Sequence, residues 1–158
     1  MEMRRKDLAV TDPEAIDSII SSCDCFRLAF ADGTHPYIVP LSFGFTHSGG
    51  VRKFYFHSAA AGRKVDLCRK LGYAGFELDH DRQLHPNEKA CDFSMRYQSV
   101  IGEGSVEEIT DLKEKAAALN TLMMHYSGKA DWEMPESVLQ RTCVFCLTVT
   151  EISGREHG

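Results

Sequence analysis

The chain has 158 residues, of which 43% are hydrophobic and 26% charged, and its formal net charge is −5. This length and composition are typical of a soluble globular protein, and we expect a single domain over residues 1–158. The acidic balance argues against nucleic acid as a partner. No apolar run reaches the roughly 18 residues of a membrane helix, and the charged N-terminus lacks the apolar stretch of a signal peptide, so we expect no membrane partner and a cytoplasmic location.

The first part of the chain predicts a helix, a strand and a turn. Thr11-Asp-Pro-Glu14 combines a capping box with a proline in the first turn, which predicts a helix over residues 12–22. Apolar residues alternate with others over residues 26–30, as they do in a strand, and residues 31–34 then turn the chain.

Two further strands follow as a hairpin. Residues 36–45 predict the first of them, although Pro40 lies inside it. Because a proline removes one hydrogen bond of the ladder, we expect this segment at an edge of the sheet or at a bulge. Residues 47–50 close the hairpin onto a strand over residues 53–57.

The next segment predicts a helix with a basic start. Ser58 is a suitable N-cap, and Arg63 and Lys64 would lie in the early turns, where the helix macrodipole disfavours cations. An anion bound there reverses this cost, because free backbone amides and both side chains converge on it. The alternative is a solvated basic face without a ligand. The expected apolar face comprises Val65, Leu67, Cys68 and Leu71.

The second half predicts a strand over residues 73–79, an irregular loop over 80–92 and a long strand over 94–108. Asp111 then caps a helix that runs to about Tyr126. Its expected buried stripe comprises Leu112, Ala116, Leu119, Leu122 and Met123.

A short helix over residues 136–141 and a last strand over residues 144–152 complete the chain. The six predicted strands are joined mainly by hairpins or short helices. This pattern favours a mainly β fold, a six-stranded antiparallel barrel with flanking helices, over a parallel sheet.

The six cysteines do not predict a metal site. Cys143 and Cys146 have the spacing of a zinc knuckle, but they lie in a run that predicts a strand. Residues three apart on a strand point to opposite faces, so this pair cannot hold one ion. Cys23 and Cys25 have no second pair with ligand spacing behind them.

Four motifs resemble those of the pyridoxamine 5'-phosphate oxidase-like, FMN-binding split barrels, and in particular the branch of 5-nitroimidazole-resistance proteins. In chain order they are Tyr37-Ile-Val-Pro-Leu-Ser-Phe-Gly, Phe54-Tyr-Phe-His-Ser-Ala, Gly62-Arg-Lys-Val-Asp-Leu and Met95-Arg-Tyr-Gln-Ser-Val-Ile-Gly-Glu-Gly104. The resemblance covers roughly residues 3–155. It implies an FMN-binding split barrel that forms a homodimer with two flavin sites at the subunit interface.

The resemblance also implies which residues bind the cofactor. They are Val39, Pro40 and Leu41 beside the isoalloxazine ring, Phe56 and His57 at the next strand end, Arg63 and Lys64 as the phosphate clamp, and Tyr97 and Ser99 on a third strand. His57 is the expected catalytic residue, with a structural, backbone-bonded histidine as the alternative. A late cluster of Met123, Met124, Tyr126 and Trp132 is a further indication of a homodimer, unless these residues complete the monomer core.

The C-terminus departs from the namesake oxidases, which resemble one another in a segment rich in arginine and tryptophan. Here the chain ends in residues 151–158, and Trp132 is the only tryptophan. We therefore expect an FMN-dependent reductase of a small, flat, electron-poor substrate such as a nitroaromatic, rather than a pyridoxamine phosphate oxidase. The alternatives are a flavin- or haem-binding module without turnover, with His57 or His125 as an axial haem ligand, and an interaction scaffold with a vestigial site.

Overall fold

Eight strands and four α-helices make up the chain in a computed structural model that describes residues 5–158. The strands are β1 (Ala9–Val10), β2 (Phe26–Asp32), β3 (His35–Leu41), β4 (Gly44–Ser48), β5 (Val51–Ser58), β6 (Tyr73–His85), β7 (Ser94–Ile109) and β8 (Cys143–His157). The helices are α1 (Pro13–Ser22), α2 (Arg63–Leu71), α3 (Leu112–Ser127) and α4 (Glu136–Arg141).

The strands form one antiparallel sheet in the order β3-β2-β6-β7-β8-β5-β4, and β1 pairs with β8. The predicted mainly β, antiparallel split barrel is therefore confirmed. The described residues contain eight strands rather than six, because β1 is added and the segment 36–45 divides in two. It divides at Phe43, whose side chain is fully buried and whose backbone amide donates to the hydroxyl of Tyr126 instead of to a neighbouring strand.

Pro40 lies on β3, which forms one edge of the sheet, as predicted. The predicted loop over residues 80–92 is wrong for its first half, because β6 continues to His85. A bulge between His80 and Gln83 shifts the register, and the polar residues after it pair with the start of β7. These polar residues are compatible with a strand because their side chains point to solvent. Their polarity therefore does not distinguish a strand from a loop.

Phenylalanine side chains fill the centre of the barrel. Phe26 stacks on Phe54 with ring centroids 4.7 Å apart, and Phe76 lies 4.9 Å from Phe54. These side chains come from alternate positions of three strands, which is the periodicity expected for a sheet with one buried face.

The helices differ from the predictions in two details. The N-cap of α1 is Asp12, whose carboxylate accepts from the amide of Ala15, rather than Thr11. On α3 the predicted stripe is only partly correct: Leu122 is buried, and Leu112, Ala116, Leu119 and Met123 are half-buried. The other buried positions are Lys115 and Ala118.

Two contacts determine which side of α3 is buried. Gly44 of β4 lies against the helix backbone, where a Cβ would come within 2.6 Å of the amide of Leu122. The Lys115 ammonium is also drawn inward, because it donates to the carbonyls of Leu139 and Thr142 at 3.1 and 2.9 Å. Neither contact is visible as apolar periodicity.

Candidate functional site

Helix α2 begins at Arg63, so the prediction of Ser58 as its N-cap is wrong; Ser58 is the last residue of β5. The N-cap is Gly62, with φ of 135° and ψ of 162°, a conformation that is essentially restricted to glycine. No side chain caps this end. The first intrahelical bond runs from the amide of Asp66 to the carbonyl of Gly62, which leaves three first-turn amides without helical acceptors.

Arg63 is held by two residues that the sequence did not single out. Its Nη2 atom lies 3.2 Å from Oδ2 of Asp32, and its guanidinium carbon lies 4.6 Å from the centroid of the Tyr37 ring. Lys70, in the last turn of α2, lies 3.9 Å from the other oxygen of Asp32. The clamp is thus preorganised by a carboxylate and an aromatic face.

Lys64 links the helix start to the end of β5. Its ammonium donates to the backbone carbonyl of His57 at 3.3 Å, and burial lowers the pKa of this lysine. The pKa of His57 is also lowered, first by desolvation and then by the nearby charge of Lys64. Although the His57 residue is open to solvent on one side, protein on the other side disfavours the imidazolium, so a neutral ring predominates at neutral pH.

The other predicted cofactor residues near the clamp differ in their exposure to solvent. Val39 and Leu41 on β3 pack against the core, whereas Pro40 between them faces solvent. Phe56 is 1% exposed and stacks on Phe145, so this residue lies in the core.

Tyr97 and Ser99 lie near the opposite end of the sheet from the clamp. Tyr97 pairs with His157, while His57 pairs with Val144, which in turn pairs with Ile109 at the far end of β7. The two rows are separated by on the order of 40 Å of extended strand. Tyr97 and Ser99 share one face of β7, as predicted, but the chain does not bring them to Arg63 and Lys64.

Two residues of β8 surround Tyr97 and were also missed. The guanidinium carbon of Arg155 lies 5.5 Å from the centroid of the Tyr97 ring. The His157 ring stacks on Tyr97 at 6.1 Å, and its Nδ1 atom lies 2.8 Å from the carbonyl of Met95. Both residues lie in the polar end of β8, beyond residue 152, where the sequence predicts that the last strand ends.

His125 is engaged within the fold. Its Nε2 atom lies 2.7 Å from the carbonyl of Cys23, and its ring lies 4.4 Å from that of Phe43. In contrast, no described residue forms a hydrogen bond with the ring of His57. Within the described residues no group of three or more His, Cys, Asp or Glu side chains is arranged to hold a metal ion, and no helix has the length and apolar character needed to cross a membrane.

The donor set at the start of α2 fits a phosphate. Uncapped amides, a guanidinium and an ammonium lie within one helical turn, and each favours an anion with several acceptor oxygens. Asp32 lowers the net positive charge of this cluster but leaves it cationic, because Lys70 also belongs to it.

Solved structures with the same fold include flavin- and haem-binding proteins. A protein from Bacteroides thetaiotaomicron, with a proposed role in 5-nitroimidazole antibiotic resistance, is 26% identical, with a TM-score of 0.82 and coverage of 94% of this chain and 86% of the other. A flavocytochrome from Azotobacter vinelandii is 20% identical (TM-score 0.81; 99% and 72% covered). A FAD- and haem-binding protein from Mycobacterium smegmatis is 19% identical (TM-score 0.78; 95% and 74% covered).

A search of curated protein sequences gives no significant match. The family model described as pyridoxamine 5'-phosphate oxidase matches residues 12–156. This match spans nearly the whole chain and contains all four motifs on which the resemblance depends, so the predicted resemblance is confirmed. The chain belongs to the pyridoxamine 5'-phosphate oxidase family, whose split barrels bind flavin.

Proposed function

We propose that this protein binds FMN and acts as an oxidoreductase that reduces a small, flat, electron-poor substrate such as a nitroaromatic. The observation that carries the proposal is the pair Arg63 and Lys64 at the uncapped start of α2. Bound flavin would supply the redox chemistry, and the protein would hold the phosphate, orient the ring and position the substrate. The similarity to a protein with a proposed role in 5-nitroimidazole resistance supports the substrate class.

The clamp supports a cofactor with a terminal phosphate. Arg63 can offer a planar pair of donors and Lys64 a point charge, and the amides of the first turn add neutral donors. The backbone of β3 leads away from Tyr37, which touches Arg63, towards Val39 and Leu41. This strand is therefore suitably placed to lie beside the ring of a flavin whose phosphate is held at the clamp.

A homodimer would bring residues from the two ends of the sheet into one flavin site. Tyr97 and Ser99 are expected to contact flavin, yet they lie far from the clamp of their own chain. A second copy would supply them to the clamp of the first, so that each site is built from both subunits. The grooves of about 420 and 510 Å³ beside α3 do not include Arg63, Lys64 or Tyr97, so neither groove is the proposed flavin site.

Sedimentation at micromolar concentration tests the dimer. The expected result is a species of about twice the 17.7 kDa mass of the chain. A single species at the monomer mass would remove both the homodimer and the shared site. The exposed fractions of Met124 (51%), Tyr126 (43%) and Trp132 (41%) leave these residues available for such a contact, but Tyr126 also bonds within the fold through its hydroxyl.

His57 is the proposed catalytic residue. Its ring is neutral at neutral pH and unbonded by any described residue, so an N–H can donate a hydrogen bond to a substrate over the flavin. We expect His57→Ala to retain FMN but to lose about 10²–10⁴ in turnover. His85→Ala, which removes an exposed histidine at the end of β6, is the matched control. If His57→Ala instead releases FMN and recovers full turnover when FMN is added back, His57 holds the cofactor and the catalytic role is wrong.

The visible spectrum of the purified protein is the experiment that tests the cofactor. FMN would give the two flavin bands, and chromatography of the flavin released by heat would identify it as the mononucleotide rather than FAD. Haem is the second candidate, because two proteins with this fold are a flavocytochrome and a FAD- and haem-binding protein, and the ring of His57 is free of described partners. A Soret band without flavin bands would replace the FMN proposal, and turnover of a nitroaromatic and quinone panel would then test for catalysis.

A further inference from the structure

Arg155 is a cation on the outer face of the sheet, next to Tyr97. The residue is half-buried, and its guanidinium carbon lies 5.5 Å from the centroid of the Tyr97 ring. Its Nε atom is fully buried and has no hydrogen-bond partner in the described part of the chain. An unpartnered, desolvated guanidinium N–H costs free energy, so the arrangement is incomplete as it stands.

The carboxylates around Arg155 are committed to other cations. Asp7 interacts electrostatically with Arg155, but it forms a two-point pair with Arg5 at 2.8 and 2.6 Å. Asp79, which pairs with Ser99 across the strands, binds Arg27 at 2.7 Å and Arg82 at 3.1 Å. Among the described residues Arg155 therefore forms no ion pair, although the charge of Asp7 acts on it at longer range.

Arg155 also lies in the row of a predicted flavin contact. It pairs directly with Ser99, and Tyr97 and His157 form the next pair along the same strands. Residues in register and two apart share one face, so Ser99, Tyr97 and Arg155 present their side chains to the same side of the sheet. A flat ligand that covered Tyr97 and Ser99 on this face would therefore lie beside the guanidinium.

We propose that Arg155 is a redox-tuning residue that stabilises the negative charge of the reduced flavin in the shared site. The proposal rests on the proposed function, because Tyr97 and Ser99 must face flavin. Two electrons and one proton enter the isoalloxazine on reduction to its anionic form, which leaves one negative charge on the ring. A cation in a partly desolvated site favours that form over the neutral oxidised ring, and so raises the reduction potential.

The test compares the midpoint potential of bound FMN at pH 7, measured by dye-equilibrated titration with dithionite, in the wild type, Arg155→Met and Arg155→Lys. Arg155→Met should disfavour the reduced form by about tenfold, which is roughly 30 mV more negative for a two-electron couple. Arg155→Lys should recover most of the shift, and both variants should bind oxidised FMN within about threefold of the wild type. Arg96→Met is the matched control, because Arg96 lies next to Tyr97 on β7 but is paired with Asp81 at 2.8 Å.

Three outcomes would overturn the role of Arg155. The potential could be unchanged in Arg155→Met; it could shift equally in Arg96→Met, which would indicate net charge alone; or both Arg155 variants could lose oxidised FMN, which would indicate a residue that holds the fold or the cofactor. In each case the wild type binds flavin, so the proposed flavin binding is unaffected. A wild type that binds no flavin would instead remove the proposed function, and this role with it.

Discussion

Helices α2 and α3 begin in opposite ways. The carboxylate of Asp111 accepts from the amides of Lys113 and Glu114, both at 3.0 Å, so the start of α3 is satisfied within the chain. The start of α2 has Gly62 in the same position, no capping side chain, and two cations in its first turn. One helix end is satisfied by a side chain, while the other leaves its first-turn amides without a capping side chain.

The difference shows that a poor helix start can be a functional signal. Both helices have one acidic residue in the first turn that complements the macrodipole, Glu114 in α3 and Asp66 in α2, but in α2 Arg63 and Lys64 oppose it by a few tenths of a kcal/mol or more each. A bound phosphate would make the same two residues favourable. The comparison predicts that changes at α2 affect binding and that changes at α3 affect stability.

The largest effect is expected for Arg63→Ala combined with Lys64→Ala. Each charge-assisted bond to phosphate contributes about 1.5–3 kcal/mol, so FMN binding should weaken by about 3–6 kcal/mol. Titration of the cofactor-free protein with FMN, followed by quenching of flavin fluorescence, measures the dissociation constant.

Lys113→Ala is the matched control, because it removes a first-turn cation from the capped helix. It should leave the dissociation constant for FMN unchanged. An unaltered dissociation constant in the Arg63 and Lys64 double variant would contradict the phosphate clamp.

An intermediate effect is expected for Asp111→Ala. Loss of the two accepted hydrogen bonds should lower the free energy of unfolding by about 1 kcal/mol, and FMN affinity should not change. Urea denaturation of the cofactor-free protein measures the first quantity and FMN titration the second. A loss of FMN affinity comparable to that of the clamp variant would mean that the two helix ends do not have separate roles.

The smallest effect concerns the titration of His57. Desolvation and Lys64 lower its pKa below the ordinary value, so the midpoint in an NMR titration should lie below about 6.5. Lys64→Met should move it part of the way back. Since the unfolded chain takes up the proton first, His57 reduces stability only as the pH falls below about 6.5 and has no effect above it. A midpoint at or above 6.5 in the wild type would contradict the neutral ring.

Much of the fold could be predicted because it depends on local pattern. The edge position of Pro40 and the cap at Asp111 follow from backbone chemistry that a single residue determines. The start of α2 could not be predicted in this way, because Ser58 and Gly62 are both acceptable N-caps. Gly62 is the N-cap because β5 continues through Ser58, which pairs with Cys143 of β8.

The candidate site was predicted only in part, because contacts between distant residues leave no local signal. Asp32 lies 31 residues before Arg63 in the chain and was assigned only to a turn. Arg155 contacts Tyr97 only because β7 and β8 pair along nearly their full length. In each case the resemblance supplied one partner and the tertiary structure the other.

The two outer strands of the sheet have a consequence for aggregation. An open sheet invites a further strand to add at its edge. On β3, Pro36 and Pro40 are four residues apart, so both occupy positions whose backbone nitrogen points away from β2, towards the open edge. Because proline has no N–H, a further strand finds no donor at these two positions. On β4, at the other edge of the sheet, Gly44 brings one face of the strand against the backbone of α3. The chain therefore keeps a strand open beside the proposed flavin site while limiting fibrous self-association through that edge.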